Sequence, residues 1–301
     1  GPVAAPLFRA VPRLERLIPL AKRPFAGHWF ALWAQCAAVR WDLIVDLRNS
    51  AVSRLLLRRR TRTHARTRGT VHKVAEIGAV LGLEPPPAPR LWLDAGARAA
   101  ADSLLPPGGR LLAVGPTANW TGKEWPARRF AELARRLTAP DGLFPGARVA
   151  VFAAPSEVER ARPVLDALGT AAVDLTGRTD PLAAAACLAR ASLYVGNDSG
   201  LMHIAAAVGT PTLGLFGPGY PEVYGPWGRH ARAVTGTVPR AELLRRVAEA
   251  DSAPAGLMDG ITVDAVERAA AELWAAVGDR PDLCDEDEAN ASESVEIGPL
   301  R

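Results

Sequence analysis

The sequence has few cysteines and no hydrophobic run long enough to cross a bilayer. Its three cysteines, Cys36, Cys187 and Cys284, are widely spaced and form no CxxC pair. This argues against a disulfide framework and favours a reducing, cytoplasmic location. The longest apolar run, residues 183–195, contains Arg190 and is shorter than the roughly 18 residues that a transmembrane helix needs. No charged start followed by an unbroken apolar core is found, so no secretory signal is predicted.

Several catalytic signatures are also missing. The sequence contains no GxxxxGK[ST] phosphate loop, no GxGxxG after a predicted strand and no GxSxG elbow. Its five histidines show no metal-ligand spacing, so no metal site is predicted. The arginines between residues 54 and 68 lack the interleaved aromatic residues and the motif of a nucleic-acid reader, so no nucleic-acid partner is predicted.

The composition is that of a folded protein with an uneven charge distribution. The chain has 301 residues, of which 49% are hydrophobic and 23% charged, as expected for two globular domains. Residues 1–108 hold 17 Lys and Arg against 7 Asp and Glu, which indicates an anionic partner or a membrane face. Residues 279–301 hold 8 Asp and Glu against 2 Arg and are predicted to be a disordered acidic tail.

Apolar patterns predict an α/β fold in which strands and helices alternate. In the front half, a strand is expected at 41–47, helices at 50–60 and 71–83, and a loop at the proline-rich residues 84–89. In the back half, strands are expected at 111–114, 148–153, 172–175, 192–195 and 212–216, and helices at 127–137, 157–168, 182–190, 201–208 and 263–277. We therefore expect a doubly wound, Rossmann-like domain at 109–278, preceded at 1–108 by an α/β domain with fewer strands than usual.

One strand-to-helix loop of the back half has the composition of an anion site. The segment YVGNDSGLMH delivers Asp198, Ser199 and Gly200 to the first turn of a helix, where unpaired N–H groups attract phosphate. His203 follows one turn later. The same spacing also fits Asp198 as a simple N-cap.

Two further loops are expected beside the first, since ligands of such sheets bind beyond the carboxyl ends of the strands. In GPTANWTGKEWP, Lys123 fits a phosphate contact or an ordinary solvated lysine, and Trp120 and Trp125 fit stacking on a ligand or packing. The turn-rich segment FGPGYP follows the last predicted strand and is expected to line the same crevice.

The segments WTGKEWPARRFAELA and VGNDSGLMHIAAAVGTPTLGLFGPG together resemble glycosyltransferase family nine, the ADP-heptose:lipopolysaccharide heptosyltransferases. WDLIVDLR and LMDGITVDAVERAA are similar to the family as well, so the resemblance covers most of residues 1–277. It implies the GT-B fold, with two Rossmann-like domains. It also implies inverting, metal-independent transfer of a sugar from a nucleotide-diphosphate donor to a lipopolysaccharide core acceptor, at the cytoplasmic face of the inner membrane.

The resemblance assigns roles to particular residues of the back half. Lys123 would neutralise the donor diphosphate, and Asp198 would engage the donor sugar. Ser199 and Gly200 would contact the phosphates, with His203 beside them. Glu157 matches an acidic residue near the nucleoside, and Thr117 belongs to the same donor set.

The family's general base is an aspartate in a Gly-Asp loop after the first strand, and no such segment is found near the start of this sequence. The first strand unit, about 40 residues with the base, is therefore expected to be absent, and no catalytic residue is predicted. Two other functions fit the same features. One is a nucleotide-sugar epimerase of the same fold, and the other is a catalytically silent scaffold that binds donor or lipid.

Overall fold

The computed structural model describes residues 1–64, 69–252 and 254–277, and shows an α/β chain. The strands are β1 (Trp41–Asp46), β2 (Arg58–Thr63), β3 (Leu111–Gly115), β4 (Arg148–Val151), β5 (Ala172–Asp174), β6 (Leu193–Asn197), β7 (Thr212–Phe216) and β8 (Ala231–Thr235). The α-helices are α1 (Gly27–Cys36), α2 (Ala51–Leu55), α3 (Lys73–Val80), α4 (Ala95–Leu104), α5 (Ala127–Thr138), α6 (Val158–Leu168), α7 (Pro181–Ala189), α8 (Gly200–Ala207), α9 (Pro221–Tyr224), α10 (Arg240–Ala248) and α11 (Val263–Val277). The predicted acidic tail lies outside the described residues.

The back half is built on one parallel sheet with the strand order β5-β4-β3-β6-β7-β8. The order reverses between β3 and β6, which pair directly, with Gly115 opposite Gly196. Neighbouring strands at such a reversal send their following loops to opposite sides, which opens a crevice at their carboxyl ends. The sheet topology therefore fixes where a ligand site is expected.

Both faces of this sheet are covered by helices, so its central strands β3, β6 and β7 are buried at every position. Leu112 and Val114 face a core formed with α5, α6 and α11. Ala113 and Tyr194 face a second core formed with α4, α7 and α8. Strands buried on both sides read as continuous apolar runs, as the sequence indicated.

The strands and helices predicted for the back half are all present, with ends shifted by at most two residues. Gly209 follows α8 with φ of +86°, the left-handed conformation expected where a glycine ends a helix. The sequence analysis did not predict β8 or α10. Strand β8 lies at the edge of the sheet and is mostly exposed, so it lacks the apolar run that marks a buried strand.

In the front half, the predicted helix at 50–60 is wrong over its second part. Helix α2 ends at Leu55, and residues 58–63 form β2, which pairs in parallel with β1. This strand has the sequence RRRTRT and is mostly exposed, so its backbone pairing with β1 holds it in place rather than apolar burial. Helices α1 and α4 were also not predicted.

The front half contacts the back half through His72 and through α4. The Nδ1 atom of His72 accepts a hydrogen bond from the N–H of Val74, so Nε2 carries the proton and donates to the carbonyl of Gly225 at 3.0 Å. The His72 ring also packs against Trp227, with 4.6 Å between ring centroids. Helix α4 packs along α7.

Among the described residues, no helix is long and apolar enough to span a membrane.

Candidate functional site

The seven residues predicted from the sequence all line one cleft of about 890 Å³, at the point where the strand order reverses. Thr117 and Lys123 follow β3, and Glu157 follows β4. Asp198, Ser199, Gly200 and His203 follow β6, in the turn into α8 and on its first turn. Three segments that are far apart in the sequence are thus brought together because their strands are neighbours in the sheet.

Lys123 and Asp198 form an ion pair inside the cleft, with 2.6 Å between Nζ and Oδ2. Their side chains are 28% and 10% exposed, so both charges are partly removed from water. The interpretation of Asp198 as an N-cap is wrong, because Ser199 holds the N-cap position. The pair can present a positive charge to an anion, since the carboxylate fixes the ammonium at the cleft wall.

The first turn of α8 faces the cleft with free hydrogen-bonding capacity. Ser199 is the N-cap residue, but its side chain makes no capping bond to the helix backbone. Its Oγ is buried and has no hydrogen-bond partner among the described residues. Together with the N–H groups that begin any helix, this hydroxyl can bind a phosphate oxygen.

His203 lies one turn along α8 and lines the same cleft. Desolvation by the cleft walls lowers the pKa of His203, the negative charge of Asp198 opposes that shift, and the neighbouring His72 and Lys123 lower the pKa further. The imidazole is therefore neutral near pH 7 and can act as a hydrogen-bond donor or acceptor rather than as a fixed charge.

Glu157 is held at the cleft wall by a network that joins α6 to the loop after β3. Its Oε2 accepts a hydrogen bond from the Thr117 hydroxyl at 2.7 Å. Arg160 donates to the carbonyl of Ala118 at 2.9 Å and pairs with both Glu157 and Glu124. Burial raises the pKa of Glu124, and the charge of Arg160 and a hydrogen bond from the N–H of Ala118 oppose that rise.

The two tryptophans of the same loop differ in burial, because Trp120 is half-buried whereas Trp125 is in the core. Trp125 is buried, donates from its indole N–H to the carbonyl of Ile261 at 2.8 Å, and packs edge-on against Phe130. The packing interpretation is therefore confirmed for Trp125. Its backbone N–H donates to Oδ1 of Asn197, which ties the lysine loop to the end of β6.

The third predicted loop approaches the site at one glycine. A Cβ atom on Gly219 would lie 2.9 Å from Oδ2 of Asp198, so a side chain there would press on the carboxylate. Sequence reasoning missed the loop between β5 and α7, where Arg178 and Thr179 also line the cleft. The N-cap Asp180 followed by Pro181 was the local signal for this loop.

No group of three or more His, Cys, Asp or Glu in the described part of the chain is arranged to hold a metal ion. Metal-independent chemistry stays a prediction from the resemblance.

Comparisons with known proteins agree with this geometry. A family model described as glycosyltransferase family 9 (heptosyltransferase) matches residues 48–252. Lipopolysaccharide heptosyltransferase 2 of Escherichia coli is 34% identical over 116 residues, which are 37% of this chain and 32% of that protein. The chain thus matches about a third of the length of its curated relatives.

Two solved structures share the fold. A family 9 glycosyltransferase from Veillonella parvula superimposes with a TM-score of 0.73 at 22% identity, over 89% of this chain and 84% of that one. The Escherichia coli ADP-heptose lipopolysaccharide heptosyltransferase II gives a TM-score of 0.69 at 23% identity, over 90% and 86% of the two chains. The predicted GT-B fold is confirmed.

Proposed function

Because this chain belongs to glycosyltransferase family 9, we propose that it binds a nucleotide-diphosphate sugar in the cleft and transfers the sugar, with inversion, to a lipopolysaccharide core acceptor. The observation that carries the proposal is the Lys123–Asp198 pair, which faces the N-terminus of α8 inside one cleft. The donor we propose is ADP-heptose, the sugar nucleotide named for the Escherichia coli enzyme of the same fold.

The cleft has the electrostatics that this reaction requires. When the sugar departs, negative charge develops on the diphosphate leaving group. A lysine and a helix N-terminus stabilise that charge where it develops, and fixed groups need no reorganisation during the reaction. Lys123 and the first turn of α8 supply both features, and Asp198 lies where it can contact the donor sugar.

The other side chains fit the nucleoside end of the donor. The carboxylate of Glu157 is held by Thr117 and Arg160, and lines the same cleft as the loop after β5. A carboxylate in this position can accept hydrogen bonds from ribose hydroxyls. We propose that Glu157 contacts the ribose while Arg178 and Thr179 lie beside the base.

The front half supports the proposal of an anionic lipid acceptor presented at a membrane surface. Arg59 is 70% exposed at its side chain, and Phe30 and Leu55 are 70% and 68% exposed. Trp33 links Phe30 and Leu55, because its ring contacts the Phe30 ring and its indole N–H donates to the carbonyl of Leu55. A region that exposes both apolar side chains and arginines is typical of surfaces that lie on anionic lipid, at the inner face of the inner membrane in this proposal.

Calorimetric titration with ADP, UDP, GDP and CDP tests the donor. We expect ADP to bind best, and Lys123→Ala to weaken its binding by roughly ten- to a hundredfold, the effect of losing a charged hydrogen bond. Lys22→Ala removes an exposed lysine of the front half and is the matched control, with unchanged affinity expected.

Each alternative result has a definite meaning. Preference for UDP or GDP would reject ADP-heptose but keep sugar transfer. Equal affinity of Lys123→Ala and the wild type would reject the diphosphate cleft. Conversion of the sugar nucleotide without acceptor would identify an epimerase instead.

A further inference from the structure

Three buried polar groups at the end of β6 lack hydrogen-bond partners among the described residues: the Tyr194 hydroxyl, Nδ2 of Asn197 and Oγ of Ser199. The Asn197 amide is not misoriented, because its Oδ1 accepts a hydrogen bond from the N–H of Trp125 at 3.0 Å. Buried polar groups are nearly always paired in folded proteins. Three unpaired groups within six residues, next to the cleft, indicate a polar partner that is not among the described residues.

The Tyr194 hydroxyl lies at the carboxyl end of the two central strands. A Cβ atom on Gly115 or Gly196 would lie 2.2 or 2.1 Å from this oxygen. These two glycines are opposite each other in the β3–β6 pair, so the absence of side chains there makes room for the phenol. Tyr194 itself is fully buried, and it is not among the residues that line the cleft.

Ser199 connects the buried phenol to the cleft. The phenol oxygen lies against Gly196, three residues before Ser199 in the turn into α8, so the two hydroxyls are neighbours. In agreement with this, burial raises the pKa of Tyr194 and the Ser199 hydroxyl opposes that rise. Ser199 lines the cleft and leaves its capping function unused. A phosphate oxygen can only accept hydrogen bonds, so a ligand phosphate would fix the direction in which both hydroxyl protons point.

We propose that Tyr194 is a positioning residue for the donor diphosphate. When a phosphate binds, the Tyr194 hydroxyl donates to Oγ of Ser199, and the Ser199 hydroxyl donates to a phosphate oxygen. This relay rests on the proposed function of the cleft. It assigns a role to a buried phenol that no contact within the described chain explains.

Tyr194→Phe tests the relay, because it removes only the hydroxyl. Without ligand, we expect this variant to unfold at or above the wild-type melting temperature, since the lost hydroxyl makes no hydrogen bond with any described residue. With ADP, we expect the affinity to fall by about three- to tenfold, the effect of one hydrogen bond. In a Ser199→Ala background, the same substitution is expected to leave ADP affinity unchanged, because the relay has lost its middle member.

Thr212→Val is the matched control. It also removes one buried hydroxyl from the sheet, but this hydroxyl donates to the carbonyl of Thr210 at 2.7 Å. We expect a lower melting temperature and unchanged ADP affinity, the opposite of Tyr194→Phe.

Three results would overturn the relay while leaving the proposed function intact. They are wild-type ADP affinity in Tyr194→Phe, an equal loss in the Ser199→Ala background, and a melting temperature lowered as in Thr212→Val. Failure of the wild-type protein to bind ADP would overturn both the relay and the proposed donor.

Discussion

At the scale of single residues, the cleft combines a partly buried ion pair with a histidine that stays neutral. Lys123 and Asp198 satisfy each other at 2.6 Å, so neither charge is left uncompensated before a ligand arrives. An anionic ligand can then share the ammonium without the cost of bringing in a new cation. His203 lines the same cleft and stays neutral near pH 7, because desolvation by the cleft walls lowers its pKa.

The lowered pKa of His203 predicts a dependence of stability on pH. The folded state resists protonation of this imidazole, whereas the unfolded chain takes up the proton near the ordinary value of about 6.5. Stability is therefore lost as the pH falls through that value. We expect denaturant unfolding at about pH 7.5 and pH 5.5 to show a smaller loss for His203→Gln than for the wild type. Equal losses in both proteins would contradict this assignment.

At the scale of elements, Arg160 links α6 to the loop that carries Lys123. Its guanidinium contacts a carbonyl and a carboxylate of that loop, at Ala118 and Glu124, and also pairs with Glu157, the N-cap residue of α6. The loop between β3 and α5 contains short turns and no regular strand. Its geometry therefore depends on contacts of this kind with neighbouring elements.

Arg160→Ala is expected to destabilise the protein and to weaken ADP binding. The substitution leaves the buried Glu124 carboxylate without its cation, which costs about 1–3 kcal/mol, and it frees the loop that positions Lys123. Thermal unfolding and calorimetry measure the two effects.

Arg162→Ala is the control on the same helix. It removes an exposed pair with Glu159 and should change stability by less than about 0.5 kcal/mol. If the two variants behave alike, Arg160 does not anchor the loop.

At the scale of the whole molecule, the two halves differ in charge and in surface. The back half contains the cleft, and the front half presents arginines and exposed apolar side chains. Electrostatic attraction to anionic lipid is screened by salt, since the Debye length is only about 8 Å at 0.15 M. Insertion of apolar side chains is much less sensitive to salt.

Flotation with anionic and neutral liposomes measures this difference. We expect binding to anionic liposomes that weakens as salt rises past about 0.15 M, and that is reduced by Arg59→Glu and by Phe30→Ser. Arg232→Glu changes a partly exposed arginine of the back half and is the control, with little effect expected. Absence of binding, or binding that is indifferent to salt and to Arg59→Glu, would reject a charged membrane face.

The sequence by itself determined most of the back half. Buried parallel strands are continuous apolar runs and their helices have local start and stop signals, so β7 and α11 were predicted at their observed ends. The same local logic placed Lys123, Asp198 and Ser199 in loops after strands. It failed for β2 and β8, because exposed strands carry arginines and are held by backbone pairing with a neighbour.

Only the tertiary structure decided which of these residues meet. The Lys123–Asp198 pair joins positions 75 residues apart, and the Thr117–Glu157 hydrogen bond joins positions 40 residues apart. Both follow from the order of strands in the sheet, which no local pattern encodes. The unpaired hydroxyl of Tyr194 is a result of the same kind. The sequence shows an apolar strand, whereas the packing of β3 against β6 places a polar atom against two glycines, where it makes no hydrogen bond with any described residue.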